Sequence, residues 1–151
     1  MAMAKEIERK FLVKNLGYRN IAKSKYVIKQ GYLSTNKEAT VRIRIKDSSA
    51  FITIKGLSVG ASRDEWEYAI PYEDALSMIK LSSGNTIEKT RYIVEFEGYT
   101  WEIDEFEGRH NGLIVAEIEL TDENETFPIP PFIGKEVTGN VKYYNSTLSK
   151  V

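Results

Sequence analysis

The chain has 151 residues, of which 42% are hydrophobic, so its length and composition suit one compact domain spanning residues 1–151. Its 21 basic and 22 acidic side chains nearly cancel, which excludes a general attraction to nucleic acid or to anionic membranes and requires local clustering for any anion binding. The absence of cysteine excludes a disulfide framework and a thiol nucleophile and is compatible with a cytoplasmic location, and the sequence contains no apolar stretch long enough for a membrane helix.

Short alternating segments separated by turn residues predict a mainly β chain with a few helices. The predicted strands are 5–14, 25–34, 40–47, 50–56, 63–70, 86–96, 99–106 and 113–121. Eight strands of this kind are typical of a closed barrel. An amphipathic helix is predicted at 72–82, the proline-rich tail is predicted to be irregular, and 142–150 is predicted to form a short turn or helix.

The first predicted strand carries two glutamates and a lysine with a spacing of two residues. Because side chains alternate along a strand, Glu6, Glu8 and Lys10 leave the same face of the sheet. Two carboxylates about 7 Å apart can bracket a hard divalent cation. A lysine one step further along can bind the phosphate oxygens that such a cation bridges, so this strand predicts a metal site beside an anion site.

The later strands also have one charged face each. The charges concerned are Arg42, Arg44 and Lys46; Glu65 and Glu67; Lys89 and Arg91; Glu102 and Asp104; and Glu117 and Glu119. Alternation alone does not say whether such a face meets water or a cavity, and water is the commoner case. However, several strands bring charges of a single sign, as a site for a metal and a polyanion requires, whereas solvated faces more often mix signs.

The ordered set of charged motifs resembles the CYTH superfamily, also called triphosphate tunnel metalloenzymes. Glu6-Ile-Glu8-Arg-Lys10 is similar to the Glu-x-Glu-x-Lys signature of that family. Further similar stretches follow in order at 30–33, 41–44, 53–55, 62–65, 87–92, 102–104, 116–119 and 134–138, so the resemblance covers nearly the whole chain. It implies an eight-stranded antiparallel closed β-barrel whose charged interior forms a tunnel, with the helix at 72–82 and the tail covering its apolar outside.

The resemblance also implies roles for individual residues. It implies that Mg²⁺ or Mn²⁺ is bound by Glu6, Glu8, Asp104, Glu117 and Glu119. It implies that the phosphate chain is bound by Lys10, Arg42, Arg44, Lys55, Arg63, Lys89 and Arg91, with Glu65 and Glu67 completing the lining. Of the groups expected to take part in catalysis, Lys10 or Lys89 protonates or stabilises the leaving oxygen, and Tyr32 hydrogen-bonds a phosphate. A second cation or a carboxylate of the Glu117 and Glu119 pair positions and deprotonates water.

The activity that the resemblance implies is metal-dependent hydrolysis of inorganic triphosphate to pyrophosphate and phosphate. Nucleoside triphosphates and thiamine triphosphate remain alternative substrates, and adenylate cyclase is an alternative activity within the superfamily. From a different class, a polyphosphate-binding module without turnover also remains open. The expected partner is a small triphosphate, with no nucleic acid and no membrane, and the expected assembly is a monomer or a homodimer.

Two places in the sequence stand apart from the proposed site. Where short bacterial relatives read Val-Thr-x-Asp-x-Arg-Tyr, this chain has Asn140 and Lys142 at the acidic and arginine positions, which puts a contact of that arginine in doubt. The only histidine, His110, lies in an Asn-Gly-containing segment and is predicted to be a loop residue, not a catalytic one.

Overall fold

The computed structural model of the chain describes residues 5–82 and 84–150; the rest of the predicted 1–151 domain lies outside the described residues. The strands are β1 (Glu6–Val13), β2 (Ser24–Ser34), β3 (Thr40–Lys46), β4 (Ser49–Lys55), β5 (Ser62–Arg63), β6 (Glu65–Ile70), β7 (Thr86–Phe96), β8 (Tyr99–Phe106), β9 (Ile114–Glu119) and β10 (Ile133–Glu136). The helices are α1 (Tyr72–Lys80) and α2 (Asn145–Leu148), with short 3-10 turns at Gly17–Asn20, Gly108–His110 and Val141–Tyr143.

The strands form one antiparallel sheet in the order β10-β1-β9-β8-β7-β2-β3-β4-β6. Only Asp64 separates β5 from β6, and this nearly continuous segment pairs with β4 through β6 and with β1 through β5. The sheet therefore returns to its own first strand and forms a barrel, joined at that point by two residue pairs, Glu6 with Arg63 and Ile7 with Ser62. The predicted antiparallel barrel is confirmed.

The strand count differs from the prediction in two places. The predicted strand 63–70 is divided at Asp64, and β10 forms in the tail that was predicted to be irregular. β10 pairs with the second half of β1, on the edge that β5 leaves free, so it adds a strand beside the barrel without entering the ring. The prediction missed it because a four-residue segment after three prolines carries too little alternation to be recognised.

The helices lie near their predicted positions. α1 occupies most of the predicted 72–82 segment, and α2 and the turn before it account for the predicted short structure at 142–150. Within the described ranges, no helix has the length and hydropathy needed to cross a membrane.

Apolar side chains lie outside the barrel, so its charged side chains face inward. On one side, Trp101 and Ile118 pack with Phe132 of the tail. On another, Ala75 and Ile79 of α1 pack against buried isoleucines of β3. Where a strand buries its apolar face under these covers, alternation directs the opposite, charged face to the interior.

Candidate active site

The barrel encloses a cavity of about 230 Å³ with a strongly charged wall. Of the predicted site residues, those that line it are Glu6, Glu8, Lys10, Tyr32, Arg42, Arg44, Lys55, Arg63, Arg91, Glu117 and Glu119. Glu65, Glu67 and Glu102 line it as well. Lys89 and Asp104 are the two predicted site residues that do not; they lie behind the wall. Strand alternation and barrel closure thus gather charges from distant parts of the sequence around one space.

Carboxylates crowd one side of the cavity. Strand pairing sets Glu8 beside Glu119, and Glu102 beside Glu117. Burial raises the pKa of Glu8 well above its usual range, and the charges of Glu117 and Glu6 raise it further. Burial and the charge of Glu6 also raise the pKa of Glu119. A bound divalent cation would favour the ionised form of these carboxylates and so oppose the effect of burial.

Glu117 has a different environment from its acidic neighbours. Its carboxylate lies 3.5 Å from Lys10 Nζ and 3.6 Å from Arg91 Nη2. Burial raises the pKa of Glu117, but the charge of Lys10, a hydrogen bond from Glu8 and the charge of Arg91 outweigh it, so the pKa lies well below its usual range. Glu117 is therefore an ionised carboxylate that accepts hydrogen bonds.

Arg44 is a cation without an acidic partner. Its Nε donates a hydrogen bond to Gln30 Oε1 at 2.8 Å, and no carboxylate of residues 5–82 or 84–150 forms an ion pair with it. Burial lowers the pKa of Arg44, and the charges of Arg42 and Arg91 lower it further. A guanidinium desolvated among other cations is stabilised by an anion that enters the cavity.

Arg42 and Lys55 form hydrogen bonds and ion pairs with other residues of the cavity wall. Arg42 Nη2 donates to Thr53 Oγ1 at 3.0 Å and lies 3.5 Å from Glu67, while its buried Nε has no hydrogen-bond partner among the described atoms. Lys55 Nζ lies 2.9 Å from Glu6 and 3.3 Å from Glu65. Burial lowers the pKa of Lys55, but the charges of Glu6 and Glu8 outweigh it and the pKa is raised. Lys55 therefore connects the basic and acidic sides of the cavity.

A buried ion cluster lies behind the wall. Asp104 accepts hydrogen bonds from Arg91 Nε at 2.7 Å, from Arg91 Nη2 at 2.9 Å and from Lys89 Nζ at 2.6 Å. Burial raises the pKa of Asp104, but Arg91 and Lys89 outweigh it, so the pKa is lowered. Burial lowers the pKa of Lys89, and Asp104 offsets only part of that effect. Both carboxylate oxygens of Asp104 are engaged by cations of the chain, unlike those of Glu8.

Tyr32 and Arg63 also line the cavity, and each is held by hydrogen bonds within the chain. Tyr32 is buried, and its hydroxyl oxygen accepts a hydrogen bond from Gln30 Nε2 at 3.3 Å. Arg63 Nε donates to the Gly56 carbonyl at 2.7 Å, and its Nη2 donates to Thr40 Oγ1 at 3.1 Å. These bonds fix both side chains at the cavity wall before any ligand arrives.

The C-terminal segment supplies wall residues that the sequence did not predict. Tyr144, Asn145 and Ser146 line the cavity, and Lys10 Nζ donates to the Tyr143 carbonyl at 3.2 Å. Asn145 Oδ1 accepts a hydrogen bond from Lys89 Nζ at 2.8 Å. These residues belong to no charged alternating strand, so the pattern that indicated the other site residues gives no signal for them.

Comparison with known proteins decides the family. The family model for the CYTH domain matches residues 4–151. The chain belongs to the CYTH family. An inorganic triphosphatase from Acetivibrio thermocellus is 47% identical over 149 residues, covering 98% of this chain and 95% of the relative. An inorganic triphosphatase from Nitrosomonas europaea is 33% identical over 148 residues, covering 95% and 96%. The crystal structure of an inorganic triphosphatase matches with a TM-score of 0.70 and 29% identity, covering 96% of this chain and 97% of that one.

Membership of the CYTH family implies a divalent metal ion, and the donors in the cavity fit one. The acidic side offers only carboxylate oxygens, which hard divalent ions prefer. Burial and the charges of Glu117 and Glu6 raise the pKa of Glu8, so a bound cation would favour its ionised form. In the described part of the chain, no three acidic or histidine side chains are assembled into a ready-made cage. The carboxylates of this CYTH domain would therefore supply part of a coordination shell, and phosphate oxygens and water the rest.

Asn140, Lys142 and His110 do not line the cavity of this CYTH domain. Asn140 accepts a hydrogen bond from the Lys142 backbone N–H at 3.1 Å, and exposed Lys142 stacks on the Tyr143 ring at 5.5 Å. His110 lies in the turn between β8 and β9, with its Nε2 2.7 Å from the Leu148 carbonyl oxygen. Asn140 and Lys142 thus shape the approach of the chain to α2, and His110 contacts the end of that helix.

Proposed function

We propose that the protein hydrolyses inorganic triphosphate to pyrophosphate and phosphate in the barrel cavity, with Mg²⁺ or Mn²⁺ as the required ion. The observation that carries this proposal is that one enclosed cavity holds both a cation and a carboxylate that have no ion-pair partner among the described residues. Arg44 and Glu8 both line the cavity, neither forms an ion pair with another residue of the described ranges, and burial shifts the pKa of each toward its neutral form. A metal-bound polyphosphate satisfies both at once. The names of the two relatives, both inorganic triphosphatases, support the choice of substrate.

The acidic side of the cavity would hold the metal. Its carboxylates are Glu6, Glu8, Glu117 and Glu119. Asp104, which was predicted as a further ligand, has both oxygens bonded to Arg91 and Lys89 and would support this region from behind through Arg91. When bound, the ion supplies charge neutralisation for the leaving pyrophosphate and lowers the pKa of water. Glu117, kept ionised by Lys10 and Arg91, accepts a hydrogen bond from the attacking water and orients it.

The basic side would hold the phosphate chain. The residues proposed for this contact are Lys10, Arg42, Arg44, Lys55, Arg63 and Arg91, and Lys89, which lies behind the wall, would act on the phosphate chain through its charge. Guanidinium groups bind phosphate oxygens through two parallel hydrogen bonds, whereas the ammonium groups act as point donors. A single phosphate meets only part of such an array, so the length of the chain of phosphates becomes a basis of selection.

Hydrolysis requires water to attack the terminal phosphorus while the bond from that phosphorus to the bridging oxygen breaks. The proton of the water passes to a carboxylate of the acidic side or to solvent, and pyrophosphate leaves with the bridging oxygen. Lys10 stabilises or protonates that oxygen, or Lys89 stabilises it through its charge from behind the wall, and Tyr32 donates a hydrogen bond to a phosphate. Tyr32 is suited to this role because its oxygen already accepts a bond from Gln30, which leaves the O–H as a donor.

A phosphate-release assay tests the proposed function. The substrates are tripolyphosphate, ATP, thiamine triphosphate and pyrophosphate, each with Mg²⁺, with Mn²⁺ and with a chelator. We expect metal-dependent release from tripolyphosphate at a kcat/KM above that for the other three. Cyclic AMP formed from ATP would replace the proposal with a cyclase. Tight tripolyphosphate binding by calorimetry without phosphate release would replace it with a binding module.

The proposed function also concerns the cellular location and the oligomeric state of the protein. We place the protein in the cytoplasm, which its lack of cysteine suits, and assign the whole activity to one domain covering residues 1–151. The residues of the proposed site all come from one chain, so either a monomer or a homodimer supports the reaction. Size-exclusion chromatography with light scattering distinguishes the two.

A further inference from the structure

The amide oxygen of Asn145 contacts the buried lysine behind the cavity wall. Lys89 has three N–H donors; one donates to Asp104 at 2.6 Å and another to Asn145 Oδ1 at 2.8 Å. The Lys89 side chain is buried, so these two bonds determine the direction in which its ammonium group points. Asn145 itself lines the cavity, which places it between this ammonium group and the space for substrate.

The same amide oxygen connects Lys89 to the basic wall. Gln30 Nε2 donates to Asn145 Oδ1 at 3.4 Å, and Gln30 Oε1 accepts from Arg44 Nε at 2.8 Å. Gln30 is fully buried on β2. A continuous chain of hydrogen bonds therefore runs from Arg44 through Gln30 and Asn145 to Lys89, and networks of this kind restrict the orientation of every member.

The position of Asn145 is fixed by contacts at the other end of α2. Leu148 is buried in a cluster with Ile87 and Phe106 of the barrel. The Leu148 carbonyl oxygen lies 2.7 Å from His110 Nε2, and Arg109 donates to the Ser149 carbonyl. The segment that carries Asn145 is thus packed against the barrel, and its amide enters the site from a defined place.

We propose that Asn145 is a positioning residue of the active site, which orients the Lys89 ammonium group and connects it to Arg44 through Gln30. The inference rests on the proposed triphosphatase function and adds to it a residue from outside the charged strands. It makes the C-terminal segment a part of the catalytic structure. Because Asn145 acts through Lys89, its removal affects turnover more than substrate capture.

Three substitutions test this role. Asn145→Ala removes the acceptor, and we expect at least a tenfold fall in kcat for tripolyphosphate with a change in KM below about threefold. Asn145→Asp keeps an oxygen that accepts both hydrogen bonds, so we expect it to recover most of kcat while its added negative charge raises KM. Val141→Ala, an exposed position in the same segment, is the control and should match the unsubstituted protein. Equal losses of kcat in Asn145→Ala and Asn145→Asp would overturn the proposal.

A double-substitution cycle separates positioning from a general structural effect. In a Lys89→Met background, Asn145→Ala should cause no further loss of kcat, because the group it orients is gone. An equal fractional loss in both backgrounds would contradict the assignment. Thermal unfolding followed by circular dichroism sets the assay temperature well below the Tm of every variant, so loss of folded protein does not enter the comparison.

A measurement without substrate distinguishes failure of this inference from failure of the proposed function. The ¹H–¹⁵N NMR signal of the Lys89 ammonium group should shift or broaden in Asn145→Ala and stay in place in Val141→Ala. An unchanged signal in Asn145→Ala overturns the positioning role whether or not the protein is active. Absence of phosphate release from the unsubstituted protein, with the NMR shift present, instead rejects the proposed triphosphatase reaction and, with it, the catalytic part of this inference.

Discussion

The arrangement of individual side chains in the cavity reduces the stability of the protein when no ligand is bound. The desolvated guanidinium of Arg44 and the crowded carboxylate of Glu8 form no ion pair within the described part of the chain. Buried charges without partners destabilise a fold, so an arrangement of this kind is maintained where a ligand completes it. Other charged residues, such as Arg9 with its two hydrogen bonds to Glu136, are already paired by the chain. The unpaired groups therefore carry more information about function than the paired ones.

Removing Arg44 should weaken substrate capture. Charge-assisted hydrogen bonds contribute about 1.5–3 kcal/mol each, so we expect Arg44→Ala to raise the KM for tripolyphosphate about tenfold or more. Lys46→Ala is the matched control: Lys46 follows on the same strand but lies over the Tyr26 ring at 4.0 Å and does not line the cavity. Steady-state kinetics measures both. A similar rise in KM for the two variants would remove Arg44 from the binding site.

Neutralising Glu8 should stabilise the metal-free protein and reduce metal-dependent turnover. A carboxylate with a folded-state pKa above its unfolded value destabilises the fold as pH rises through that interval. In chelator, Glu8→Gln should therefore have a higher Tm than the unsubstituted protein near pH 8, with the difference shrinking as the pH falls toward the ordinary glutamate range. Mg²⁺ should raise the Tm of the variant less. Calorimetric scans measure these shifts.

Glu88→Gln provides the comparison for Glu8→Gln. Glu88 is exposed on the outer side of β7, 4.0 Å from Lys29. Neutralising it should leave both the Tm in chelator and the response to Mg²⁺ nearly unchanged, because surface ion pairs contribute little. A Tm for Glu8→Gln below that of the unsubstituted protein in chelator would show that Glu8 is stabilised by the fold without metal.

At the scale of elements, period-two alternation located every strand of the barrel ring and the hydrophobic spacing located α1. Alternation identifies which residues share a face, but it carries no information on whether that face meets water or a cavity. The resemblance to the CYTH superfamily indicated that the charged faces line a cavity. What the sequence did not reveal depends on contacts formed only in the fold, such as the bond between Asn145 and Lys89, which are 56 residues apart. The hydrogen bonds from Lys89 and Arg91 to Asp104 are likewise contacts that form only in the fold.

The packing of α1 on β2 gives a prediction at this scale. A methyl group on Gly31 would lie 2.8 Å from Ser82 Oγ and 2.9 Å from Ser82 Cβ, just beyond the end of α1. Overpacking of this kind costs about 1–3 kcal/mol, so Gly31→Ala should reduce the free energy of unfolding by that amount in urea titrations. Gly56→Ala, whose nearest contact would be Asp64 Cβ at 3.7 Å, should change it little. Equal effects at the two glycines would contradict the close approach.

The whole molecule arranges opposite charges across one enclosed space, so the two proposed ligands should help each other bind. Calorimetric titration of tripolyphosphate should give a lower Kd in the presence of Mg²⁺, and by reciprocity Mg²⁺ should bind more tightly when tripolyphosphate is present. Most of this coupling should be lost in Glu8→Ala, since one side of the cavity then holds the ion poorly. Independent binding of the two ligands would mean that they occupy separate places.

The two residue pairs between β5 and β1 make a seam in an otherwise well-paired wall. Both residues of one pair, Glu6 and Arg63, also face the cavity, where one is proposed to meet the ion and the other the anion. Binding of the ion and the anion in the cavity would therefore stabilise the pairing of β5 with β1. The Glu8 amide, which donates to the Ala61 carbonyl at this place, should then exchange its hydrogen more slowly. Ligand binding would in this respect strengthen the closure of the barrel.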